Sequence, residues 1–199
     1  METKGIVIAG VGGQGSLLAS KLLGRVLVNE GYDIKVSEVH GMSQRGGSVI
    51  TYVRYGDKVY SPVVQSGEAD YLISFEKLEA ARYAHLLKKD GVIITNTQRI
   101  DPMPVITGAT EYPEQILEEL KAKGVHIEAM DALAPAVEAG SAKAVNIVLM
   151  GQLAKHFHID YDKWISALEQ TVKPQFIEMN KKAFELGYNY SDNNSKEEL

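Results

Sequence analysis

Between an apolar run, Ile6-Val7-Ile8-Ala9, and a helical repeat that begins at Ser16 stands the segment Gly10-Val11-Gly12-Gly13-Gln14-Gly15. It matches G-x-G-x-x-G at Gly10, Gly12 and Gly15, in the strand-to-helix context that gives the motif its meaning. The physical reading is direct. Gly10 permits a tight turn, Gly12 lets backbone approach a phosphate, and Gly15 lets helix and strand pack closely. The helix that follows turns unpaired N–H groups and a positive dipole end toward any anion. Gly13 and Gln14 complete the turn. Such a loop serves a phosphate-bearing ligand or close packing alone, and both readings stay open at this stage.

The rest of the chain extends that start into a layered α/β fold. Leu17, Leu18, Leu22, Leu23, Val26 and Leu27 recur at helical spacing up to Gly31, a helix-ending residue. Ile34–Val39 reads as a second strand, which makes a β-α-β unit. Glu38 near its end stands where a dinucleotide fold places its ribose-binding acid. Ser48–Tyr55 is a β-branched and aromatic strand, with Lys58–Val64 expected to pair back on it as a hairpin. Asp70–Phe75 and Gly91–Asn96 read as strands flanking a helix over Glu76–Lys89. A further helix is expected at Glu114–Lys123 and a strand at Val125–Ala129. Helices fill about 132–187, interrupted at Pro135, Gly140 and Pro174. Alternating strands and helices imply a Rossmann-like, mainly parallel sheet with helices on both faces and a C-terminal helical extension. Residues 1–190 are expected to form one domain, and the polar 191–199 a disordered tail.

The second unusual stretch is Ser37-Glu38-Val39-His40-Gly41-Met42-Ser43-Gln44-Arg45-Gly46-Gly47-Ser48. Open α/β sheets bind ligands beyond the C-terminal ends of their strands, which is where this loop falls. Arg45 offers a planar fork suited to phosphate or carboxylate. Gly46 and Gly47 let backbone amides face an anion or another chain. His40 alone is more simply a strand-end residue. Glu76, Glu79 and Arg82 read as a solvated helix face. Phe157, Trp164 and Phe176 read as core or interface aromatics, and His85, His126, His156 and His158 lack metal-ligand spacing. No nucleophile elbow, Ser-His-Asp set or P-loop occurs, so no catalytic residue is assigned.

Composition removes several function classes. The 199 residues carry a net charge of -5, so no basic face invites nucleic acid. Cysteine is absent, which excludes a disulfide, a thiolate nucleophile or a Cys-held iron–sulfur cluster in this chain. Met1–Gly5 leads straight into a strand without a secretory pattern, and no apolar run is long enough for a membrane span. A soluble, cytoplasmic protein is expected.

Taken together, the two loops resemble the gamma-type domain of 2-oxoacid:ferredoxin oxidoreductases. The His-Gly-Met-Ser-Gln-Arg-Gly-Gly version, with Ser61-Pro62, Gly67-Glu68-Ala69-Asp70 and Glu79-Ala80-Ala81-Arg82, is similar to the indolepyruvate branch (its beta subunit). The pyruvate branch usually carries a Tyr-Gly-Pro-Glu-type lead into the same Arg-Gly-Gly. The likeness runs from about Lys4 to Phe157. It implies a subunit, inactive alone, of an enzyme that decarboxylates an aryl pyruvate, passes the acyl group to coenzyme A and reduces ferredoxin. It implies thiamine diphosphate and 4Fe-4S clusters on a large alpha subunit; by hypothesis, the Gly12–Gly15 turn and the helix N-terminus accept a phosphate of coenzyme A, and Arg45 pairs with a phosphate or with a partner carboxylate. As a hypothesis beside the resemblance, the apolar C-terminal helices could dock the large subunit, and an isolated chain could pair with a second copy through surfaces meant for that partner. Two other classes stay open: an independent NAD(P)-binding oxidoreductase or redox sensor resting on Glu38, and a purely structural subunit.

Overall fold

The computed structural model describes residues 2–40 and 46–191. Strand β1 (Lys4–Val11) is buried over all but its ends and leads through the glycine loop into helix α1 (Ser16–Asn29). Then come β2 (Asp33–His40), β3 (Ser48–Gly56), β4 (Ala69–Ser74), the short α2 (Lys77–Tyr83) and β5 (Leu87–Asn96). The remainder is α3 (Met103–Ile106), α4 (Ile116–Ala122), β6 (His126–Met130), α5 (Leu133–Ala139), α6 (Val145–Ala154), α7 (Tyr161–Thr171) and α8 (Ile177–Tyr188).

The six strands form one sheet in the order β2-β3-β1-β4-β5-β6. β1, β4, β5 and β6 run parallel, and β3 is antiparallel to both β1 and β2. The sheet is therefore mainly parallel in an α/β fold, as the sequence predicts. Two expectations change. The partner of β3 is β2, not Lys58–Val64, which is irregular. The β-α-β unit is also split, because β3 lies between β1 and β2. Ile34–Val39 and Ser48–Tyr55 are close in sequence, so their pairing costs little closure entropy and the local hairpin wins.

Alternation along the strands feeds two cores. Ile6 and Ile8 face α1 and the C-terminal helices, while Val7 and Ala9 face α2 and α4. Every residue of α6 is buried. Trp164, Ala167 and Leu168 of α7 and Ala183 and Phe184 of α8 are buried in the same layer. Most apolar residues of α6, α7 and α8 thus serve this chain's own core, while Leu133 and Val137 of α5 and Phe176 before α8 stay exposed. Pro135 does not interrupt α5, because it stands in the first turn, where its missing N–H has no partner to lose. Gly140, at φ 118°, ends that helix. The helix expected to reach Lys89 stops at Tyr83, and β5 begins at Leu87. Among the described residues no helix is long and apolar enough to cross a membrane.

Candidate functional site

The C-terminal ends of β1, β4 and β5 meet where the chain's crossovers diverge to opposite faces, the place at which an open sheet leaves a crevice. The glycine loop lies there, and its internal bonds decide what it can offer. Gln14 folds back so that its Oε1 accepts from Val11 N (2.7 Å) and its Nε2 donates to the Phe75 carbonyl (3.0 Å). Asn96 Nδ2 donates to the same carbonyl at 3.3 Å, and Asn96 Oδ1 accepts from Ala132 N at 3.1 Å. Four strand ends are thus bridged by amide side chains. Gln14 holds the site together from within.

Gly10 packs so close to Phe75 that a Cβ would stand 2.9 Å from its ring. Gly13 and Gly15 have φ of 106° and 87°. The two predicted loops are joined: Gly12 N–H donates to the Gly47 carbonyl (2.8 Å), and Gly46 N–H donates to the Gly12 carbonyl (3.3 Å). The Gly12 amide, assigned from the sequence to a phosphate, is therefore spent inside the protein. The donors left for an anion are those of α1, which has no side-chain cap and no acidic residue in its first turn. Leu18 and Ala19 N–H bond to the Gly15 carbonyl, and the amides of Ser16 and Leu17 have no partner among the described residues.

On the far side of the crevice the sequence reading needs a correction. Glu76 and Glu79 do not form a solvated face: they are 1% and 4% exposed. Glu76 caps α2 by accepting from Glu79 N (3.0 Å), and it also accepts from Ile100 N (3.2 Å) and from the Tyr112 hydroxyl. Burial, and then the Glu76 hydrogen bond, hold the Tyr112 hydroxyl above its ordinary pKa. Arg99 stacks 4.5 Å above the Tyr112 ring and binds Asp101, whose carboxyl that hydrogen bond holds below the usual range. Glu79 accepts from the Ser48 hydroxyl and from Arg82 Nε (3.1 Å), and Ser48 Oγ lies 3.0 Å from the Tyr83 hydroxyl. The two glutamates thus fasten the Gly46–Ser48 arm and the Ile100–Met103 rim to one short helix. Their sequence signal was the capping position of Glu76, directly after an apolar strand, with a second Glu three residues on.

These walls enclose a cleft of about 230 Å³ lined by Val11, Gly46, Gly47, Ser48, Glu79, Arg82 and the 100–103 rim. Among the described residues predicted for the site, Gly46 and Gly47 line it. Gly10, Gly12, Gly13, Gln14 and Gly15 lie behind or beside it. Glu38 is exposed on β2, in register with Thr51. With β3 intervening, β2 runs about 10 Å from β1 instead of about 5 Å. A dinucleotide fold needs those strands adjacent, so the NAD(P) reading loses its geometric basis. Arg45, with 41–44, lies outside the described residues, as do 192–199; of His40 only the strand backbone is described.

The sequence model of the pyruvate ferredoxin/flavodoxin oxidoreductase family matches residues 5–190. Indolepyruvate oxidoreductase subunit IorB of Pyrococcus horikoshii is 45% identical over 195 residues, spanning 94% of this chain and 95% of that one. In fold, the chain is similar to the gamma subunit of a keto/oxoacid ferredoxin oxidoreductase from Geobacter sulfurreducens (TM-score 0.69, 22% identity, 93% and 96% of the two chains). It is also similar to 2-oxoglutarate:ferredoxin oxidoreductase from Magnetococcus marinus with 2-oxoglutarate, coenzyme A and succinyl-CoA bound (TM-score 0.72, 20% identity). That match spans 94% of this chain and 31% of the other, where the same fold is one part of a longer polypeptide.

Proposed function

The chain belongs to the pyruvate ferredoxin/flavodoxin oxidoreductase family and is a subunit of a 2-oxoacid:ferredoxin oxidoreductase, and from that premise we propose that its complex acts on indolepyruvate and related aryl pyruvates. The observation that carries the substrate class is the 45% identity to an indolepyruvate oxidoreductase subunit along nearly the whole of both chains. In the reaction so assigned the bond from carbonyl carbon to carboxylate breaks and CO₂ leaves. The two electrons left behind pass one at a time to ferredoxin, and the acyl carbon joins the sulfur of coenzyme A as the thiol proton leaves. Residues 1–190 act as one gamma-type unit within that assembly.

This chain's residues do not fit an iron–sulfur cluster, since cysteine is absent from the sequence. Thiamine diphosphate and 4Fe-4S clusters therefore belong, in this reading, to a large alpha subunit, and ferredoxin meets the complex there. The cleft does suit a phosphate-bearing thiol ester carrier. Beside the cleft, the Ser16 and Leu17 amides, without a partner among the described residues, and the dipole of the fourteen-residue α1 favour an anion. Arg82 lines the cleft and, among the described residues, is held through Nε, which leaves its terminal nitrogens for a phosphate. Arg45 takes a second phosphate or a carboxylate of the alpha subunit.

The test is the reconstituted complex under anaerobic conditions, reducing a viologen with indolepyruvate and coenzyme A. Arg82→Ala or Arg45→Ala should raise the KM for coenzyme A about 10- to 100-fold, the loss expected of one charge-assisted contact. Unchanged coenzyme A kinetics in a normally assembled complex would remove both residues from that role. A second reading has support of its own, because the Gly12 amide and the Gln14 side chain are already spent on internal bonds. On that reading the loops only brace the strand ends and an interface. Variants that assemble poorly yet keep wild-type coenzyme A kinetics would favour it.

A further inference from the structure

A second recess lies away from the cleft. It is a groove of about 550 Å³ between α1 and β2, closed at one end by Gln170 and Thr171. β2 is the terminal strand of the sheet, eight residues long, with its outer hydrogen-bonding edge facing away from β3. Natural edge strands are usually blunted by proline, a bulge or free charge. β2 has neither proline nor a break in register, its Lys35 is tied to Asp33 (3.0 Å), and Glu38 near its end is its one other charged side chain. Val36 is instead 46% exposed beside Leu17 (53%) and Val28 (50%) across the groove.

The floor between those three side chains is low. Ser20 and Gly24 stand one helical turn apart, and a Cβ at Gly24 would just reach Ile34 Cδ1 at 3.5 Å. The result is a notch of side-chain size with apolar walls. Lys21 and Arg25 flank it, also one turn apart, and neither has an ion-pair partner among the described residues. Other large apolar side chains are exposed too, among them Met103, Ile106 and Val137, but none of these three lines this groove or lies on the open edge strand.

We infer that this groove is where the alpha subunit docks, through an extended segment that adds a strand to β2, sets an apolar side chain into the notch over Gly24, and brings a carboxylate to Lys21 and Arg25. Strand addition supplies the main-chain bonds, while the notch and the cations supply specificity. The occupant's charge follows from the two unpaired cations, and its extended form from the open edge. β2 ends at His40, which pairs with Val49 next to Ser48 of the cleft, so docking would fix one border of the ligand site. The inference rests on the reading of this chain as a subunit of a larger oxidoreductase.

The experiment uses the complete complex. Tagged chain is co-produced with the alpha subunit, as wild type, as Val36→Lys and as Lys21→Glu/Arg25→Glu. Affinity is measured by titration, and backbone exchange over 33–40 is followed by mass spectrometry. Val36→Lys should weaken assembly at least ~10-fold, as a charge placed in an apolar interface core does. The double reversal should weaken it several-fold and abolish its salt dependence. Amides of β2 should gain protection in the wild-type complex. Wild-type affinity in both variants, or unchanged exchange over 33–40, would overturn the groove assignment alone. So would a photo-crosslink from position 28 that lands on a second copy of this chain. A wild-type chain recovered without any cluster-bearing partner would overturn both the assignment and the functional reading beneath it.

Discussion

Gly15 shows how little of the glycine loop is negotiable. Its φ is 87°, a region that costs a side-chain-bearing residue about 1–3 kcal/mol. A Cβ there would also stand 2.3 Å from Asn146 Nδ2, the group that donates to the Gly15 carbonyl at 3.0 Å. Gly15→Ala should therefore lose about 2–4 kcal/mol in urea unfolding. Adding Asn146→Ala should return part of that, because it removes the collision but not the backbone strain; a double variant no better than the single one would sink the account. A second residue-scale effect depends on pH. Glu128 accepts from Gln152 Nε2 (2.7 Å) and lies 3.1 Å from His156 Nε2. The His156 hydrogen bond, against the cost of burial, holds the Glu128 carboxyl below its ordinary 4.5. A depressed carboxylate contributes stability above its unfolded value and loses it as pH falls through the folded one. Wild type should thus lose stability below about pH 4.5 more steeply than Glu128→Gln, as read from urea midpoints at neutral and acid pH. Parallel curves would contradict the pairing.

At the scale of elements, the helices were legible where a periodic stripe or a breaker marked them. Gly31, Gly140 and Pro174 fall at or just beyond helix ends, as local chemistry requires. What escaped was everything that depends on a neighbour distant in sequence. α6 and α8 cross with their backbones in contact: a Cβ on Gly187 would lie 1.9 Å from the Val148 carbonyl oxygen, and one on Gly151 2.2 Å from that of Phe184. Nothing local to either glycine announces this, since both also suit a helix interior at a modest cost. Gly187→Ala should force the helices apart and cost more than ~3 kcal/mol, far above the small gain expected from helix propensity alone. A variant as stable as wild type would show that the crossing can relax. The buried glutamates of α2 escaped for the same reason. Hydropathy counts Glu76 and Glu79 as surface, while their partners Tyr112, Ile100 and Ser48 come from three other segments.

For the whole molecule, the fold class could be read from alternation and the glycine loop, but the strand order could not. Insertion of β3 between β1 and β2 is a contest between a local hairpin and a crossover pairing, and residue patterns are the same for either outcome. That one exchange moves Glu38 away from the glycine loop and turns a dinucleotide-like start into a different site. The same sheet also couples the two halves of the protein. Each inner strand serves both cores, Ile6 and Ile8 on one face and Val7 and Ala9 on the other, Ile94 and Ile93 likewise on β5. Neither helical layer can leave without stripping one face of strands that the other layer still needs. Unfolding should therefore be a single cooperative event. Trp164, the one tryptophan, is fully buried in the α1–α6–α7–α8 layer, so its fluorescence reports that layer alone. Far-ultraviolet circular dichroism reports both. The two signals should follow superimposable urea curves with equal midpoints and slopes. A fluorescence transition that precedes the loss of helix signal would mean that the C-terminal layer detaches first and that the sheet and the α2–α4 layer form a separate folding unit.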